Sequence, residues 1–104
     1  MDDSNQLDVP PSFVALYTNP AGHRLTEPIR IVRERYELCE DMAQLLMEQA
    51  SAAQFKSGGG EREVLRKMQA GLSEAESPVS PAEAQWVVMR IAELLGWESP
   101  APQD

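Results

Sequence analysis

Apolar residues recur at alternating three- and four-residue steps through Ile29, Val32, Tyr36, Cys39, Ala43, Leu46, Ala50 and Ala53, a spacing that an α-helix gathers onto one face. A strand would scatter the same residues over both faces of a sheet. The pattern predicts one long amphipathic helix over residues 26–55, with Arg30, Glu34, Glu37, Asp41, Gln44 and Glu48 on its polar side. With Thr26 as its cap, the roughly 28 helical residues would span about 42 Å at 1.5 Å per residue. A stripe of that length must be covered by other elements, so the expected fold is all-α, a small helical bundle of three to four helices with one long central helix.

The covering elements carry their own signals. Ser80-Pro81-Ala82-Glu83 places a capping serine, a first-turn proline and a reciprocal glutamate at capping-box spacing. Ala84, Val87, Val88, Ile91, Leu94 and Leu95 give the helix that follows a wide apolar face. Gly96 is expected to end it in the left-handed conformation, with Trp97 folding back onto the core. Ser57-Gly58-Gly59-Gly60 is a flexible stop after the long helix. A further helix can begin at Glu61, with Val64, Leu65, Met68 and Leu72 on one side and Gly71 as its left-handed end. Upstream, residues 12–17 read as one or two helical turns started by Pro11 or Ser12, with a short strand as the alternative, and residues 18–22 as a turn. Thr26 is the expected cap of the long helix, with Pro28 in its first turn. The organisation is thus a polar tail over residues 1–10, one bundle domain over 11–97 and a short tail over 98–104.

With 104 residues, 42% hydrophobic and 25% charged, the chain has ordinary globular proportions and room for a single core. The large anchors of that core are expected to be Phe13, Tyr17, Tyr36, Phe55, Trp86 and Trp97. A formal net charge of -8 sets up a field that repels phosphate backbones and anionic lipid, which argues against nucleic acid and membrane surfaces as partners. No apolar run approaches the roughly 20 residues of a membrane span. The first residues have neither a basic start nor an apolar signal core, so a cytoplasmic location is expected. The single cysteine permits no internal disulfide and cannot alone make a zinc site.

Catalytic chemistry finds no constellation here, and an enzyme is the less favoured reading. His23 and Arg24, close in sequence to Arg30 and Arg33, form a candidate anion-binding cluster. Glu27 and Glu34 stand at helical pairing distance from Arg30, so solvated charge pairs compete with a ligand site. Cys39 falls on the apolar stripe and reads as a buried thiol. The glycines before Glu61 resemble a phosphate loop but lack the Gly-Lys-Ser/Thr ending, and a hinge is the better reading. The acidic residues Glu37, Glu40, Asp41 and Glu48 have no histidine at Glu-x-x-His spacing, so no metal site is expected, and no cofactor. They can instead face Arg62, Arg66 and Lys67 of the next helix.

Val9-Pro10-Pro11-Ser12-Phe13, Leu25-Thr26-Glu27-Pro28, the run from Arg35 to Asp41 and the closing Ala92-Glu93-Leu94-Leu95-Gly96-Trp97 resemble a group of small uncharacterised bacterial helical proteins. Some members of that group carry the label "ATPase with chaperone activity", which implies nucleotide hydrolysis. No functional residue is carried over by the resemblance. From the residues themselves, the expected function is that of a small acidic protein-interaction or adaptor domain, presenting a helical apolar face to a partner protein or to a second subunit. Met42, Leu45, Met47, Trp86 and Met89 are the candidate contact residues. The alternative is a nucleotide- or anion-responsive regulator, including a chaperone-related one, using His23, Arg24, Arg30 and Arg33.

Overall fold

The computed structural model describes residues 9–22 and 24–98. Its regular elements are helical: α1 (Pro11–Val14), a 3₁₀ turn (Ala15–Tyr17), α2 (Ile29–Ser57), α3 (Glu61–Leu72) and α4 (Pro81–Leu95). The fold is all-α, a small bundle with one long helix, as the periodicity requires. The chain divides into two compact units, Met1–Leu38 and Cys39–Asp104, with α2 contributing to both. The expected tails lie outside the described residues apart from 9–10 and 98. Val9, placed by composition in the N-terminal tail, is buried, and the Pro10 carbonyl accepts from the Phe13 and Val14 amides to start α1.

In the first unit, Phe13 is fully buried and its ring stands 5.7 Å from those of both Tyr17 and Tyr36, the second edge-on. Tyr36 and the buried Val32 come from the first part of α2. The segment between the 3₁₀ turn and α2 folds back on itself through an isolated antiparallel bridge between Thr18 and Leu25. Gly22, with φ of 80°, closes its tip, where an L side chain would be strained. Here the structure corrects the expected cap. The Thr26 hydroxyl donates to the Tyr17 carbonyl at 3.2 Å rather than accepting a helix amide. The Pro28 carbonyl receives the Val32 amide at 3.1 Å, which makes Pro28 the residue before the first turn rather than part of it.

In the second unit, Cys39, Ala43 and Ala50 of α2, Val64 and Leu65 of α3, and Ala84, Trp86, Val87, Val88, Ile91 and Ala92 of α4 are buried. Each large aliphatic side chain so buried is worth about 1.5–3 kcal/mol. The capping box forms as expected: the Glu83 amide donates to Ser80 Oγ at 3.1 Å and the Ser80 amide to Glu83 Oε1 at 2.9 Å. Gly96 has φ of 73°, and the Trp97 amide reaches the Ala92 carbonyl at 2.8 Å while the Gly96 amide reaches that of Glu93, a Schellman ending. Gly71 departs from expectation. It lies inside α3, and the helix ends instead at Ser73, whose hydroxyl donates to the Gln69 carbonyl at 2.7 Å. After α2, Gly58 has φ of 64° and its amide caps the Gln54 carbonyl at 2.9 Å.

Candidate functional site

The buried stripe of α2 is narrower and shorter than its sequence suggests. Val32, Cys39, Ala43 and Ala50 are buried, but Ile29 and Ala53 at the ends are exposed. Phe55, expected as a core anchor, is 87% exposed, and Leu45 is 69% exposed. The reason is angular. At about 100° per residue, Leu45 and Phe55 each stand about 140° from Ala50, on opposite sides of it. Both therefore point away from the core, and Asp41, Glu48 and Ala52 fall between them on the same outward face, all exposed. Asp41, Gln44, Leu45 and Glu48 line a shallow depression there.

The five residues named from sequence as partner contacts do not form one patch. Met42 and Met47 are half-buried and flank the buried stripe, Met47 about 160° around the helix from Leu45. Leu45 alone of the three faces outward on α2. Trp86 is only 8% exposed and belongs to the core of the second unit, so it is corrected from a surface anchor to a packing residue. Met89, on α4, is 37% exposed. Phe55 and Ala52 were missed as surface residues, although the five-residue step from Ala50 to Phe55 was already off the stripe.

Of the candidate anion cluster, Arg24, Arg30 and Arg33 are among the described residues. His23 lies outside them. Arg24 is exposed in the turn, and its amide approaches the Asn19 side-chain oxygen at 3.4 Å. Arg30 is engaged by Glu34 at 3.4 Å, the charge pair that its spacing allows, and Arg33 is half-buried. Such an exposed pair is worth at most about 1 kcal/mol.

The acidic residues of α2 are distributed differently from the cross-helix pairing with α3 considered above. Glu40 binds Arg90 of α4 through two bonds, Nε to Oε1 at 2.9 Å and Nη2 to Oε2 at 3.1 Å. Gln44 donates to the same carboxylate at 2.8 Å, and Arg90 also reaches Glu93 at 2.9 Å. The Arg90 hydrogen bonds hold the Glu40 carboxyl below its ordinary range against the opposing effect of partial burial, helped by Gln44. The Glu40 and Glu93 carboxylates in turn raise the Arg90 guanidinium. On α3, Arg66 pairs with Glu63 of its own helix. Asp41 and Glu48 have no hydrogen-bond or ion-pair partner among the described residues.

A second concavity, of about 270 Å³, lies between the end of α2 and α3, lined by Ala53, Ser57, Gly60, Val64, Lys67 and Met68. Gly58, Gly59 and Gly60 beside it separate α2 from α3. Gly60 precedes α3 without a side-chain cap, and Glu61 and Glu63 occupy the first turn, where their charge already meets the helix dipole. Cys39 is fully buried. Among the described residues no three His, Cys, Asp or Glu side chains converge as metal ligands, and no helix is long and apolar enough to cross a membrane. No family model, no characterised protein and no solved structure matches the chain.

Proposed function

We propose that the protein is a small acidic interaction or adaptor domain that uses the outward face of α2 to engage another protein, working in the cytoplasm. The observation that carries this reading is the exposure of Leu45 and Phe55 on the side of the helix opposite its buried stripe. Large apolar side chains left in water on a rigid helix gain by being covered, and aromatic residues are the commonest anchors of protein contacts. Folding does not use them. Trp86 and the methionines beside the core stripe are better explained by packing.

The anion-responsive alternative, including the nucleotide hydrolysis implied by the resemblance to proteins labelled as chaperone ATPases, has less support. Arg30 is already neutralised by Glu34, and the glycines before α3 lead into an acidic helix start. Native capture of tagged protein from a lysate, comparing wild type with a Leu45→Gln, Phe55→Gln variant, tests the interaction reading. A stoichiometric partner retained by wild type and lost by the variant is expected. A partner held equally by both would move the contact surface elsewhere.

A further inference from the structure

We infer that the outward face of α2 docks a cationic amphipathic helix, an inference that rests on the interaction reading above and names its partner class. Asp41, Leu45, Glu48, Ala52 and Phe55 follow one another at alternating four- and three-residue steps, so acid and apolar side chains share one continuous row. A second helix laid along such a row meets its members in order at the same pitch. Ala52 permits close approach between the large residues. Lysine or arginine stems can cover Leu45 and Phe55 while their heads reach the carboxylates.

Charge fixes the sign of the occupant. Glu34, Glu40, Glu63 and Glu93 each pair with an arginine of this chain, whereas Asp41 and Glu48 have no such partner among the described residues. The whole chain carries -8, which steers cations toward it and repels acidic proteins, nucleic acid and anionic lipid. A second copy is disfavoured by charge, because it would bring two rows bearing Asp41 and Glu48 together.

The test uses the full chain, labelled for amide chemical shifts, and two synthetic helices of about 18 residues, five turns. One carries leucine on one side and lysine on the other, and its twin has glutamate for each lysine. The lysine helix is expected to shift amides of residues 41–56 at 150 mM salt. Leu45→Ala and Phe55→Ala should each weaken it about tenfold. Joint Asp41→Lys and Glu48→Lys reversal should switch preference to the glutamate helix. The same reversal at Glu74 and Glu76, exposed beyond α3 and not on the α2 row, should change affinity by less than about twofold, since they act on the bound helix only through a salt-screened field. Equal loss on reversal at Glu74 and Glu76 would reduce the attraction to net charge and overturn the inference. So would a Phe55-dependent dimer in light scattering, which would leave the interaction reading standing with a second copy as occupant. Binding of neither helix, with no self-association, would overturn the inference and leave the interaction reading to the native capture.

Discussion

At the scale of single residues, the best-defined polar contact is the Arg90–Glu40 pair, because it is bidentate, half-shielded and joins helices far apart in sequence. Hydrogen bonds to charged groups of this kind contribute about 1.5–3 kcal/mol, so Glu40→Gln should cost on the order of 1–2 kcal/mol in urea unfolding at neutral pH. The carboxyl is held below its ordinary value of 4.5 when folded. Its stabilisation is therefore fully present above that value and fades as pH falls through the lower folded one. The stability gap between wild type and Glu40→Gln should accordingly narrow on acidification below 4.5, and a gap that widened would contradict the pairing. Phe13, fully buried against Tyr17 and Tyr36, is the apolar counterpart. Phe13→Ala should cost about 3–5 kcal/mol, read from the shift of the urea midpoint.

At the scale of elements, what was legible in the sequence was whatever local chemistry decides alone. The Ser80 capping box and the Gly96 ending formed as written because their partners lie within a few residues. The Gly71 ending did not, because a glycine permits the left-handed conformation without requiring it, and the Ser73 hydroxyl closes the helix two residues later. Thr26 failed as a cap for a related reason: the Tyr17 carbonyl, brought close by the Thr18–Leu25 bridge, takes its hydroxyl. These differences set opposite signs for two similar substitutions. Gly71→Ala adds a methyl into open space at a helical position and should stabilise by about 0.5–1 kcal/mol. Gly96→Ala forces an L residue to φ of 73° and should destabilise by about 1–2 kcal/mol. Thermal unfolding of the two variants side by side checks both.

At the scale of the whole molecule, the all-α class followed from the α2 stripe together with the helical signals of the segments that became α3 and α4. How much of the stripe would be covered did not follow. Periodicity continues through Ala53 regardless of whether a neighbouring helix reaches that far, and size alone does not place Phe55 in the core. The surface that folding leaves over is consequently the part least visible in the sequence, although the angular step from Ala50 placed both Leu45 and Phe55 off the buried line. Net charge was visible at once, and with Asp41 and Glu48, which have no partner among the described residues, it gives that surface its polarity.

The central claim is that Leu45 and Phe55 serve contact and not folding, and urea unfolding of the joint Leu45→Gln, Phe55→Gln variant tests it most directly. Exposed side chains change stability by about 0.5 kcal/mol or less when replaced, so the expected result is an unfolding curve close to wild type together with loss of binding to the lysine-rich helix. A loss of about 2 kcal/mol or more, the scale of core truncation, would show that these residues are packed within the fold and would contradict the account.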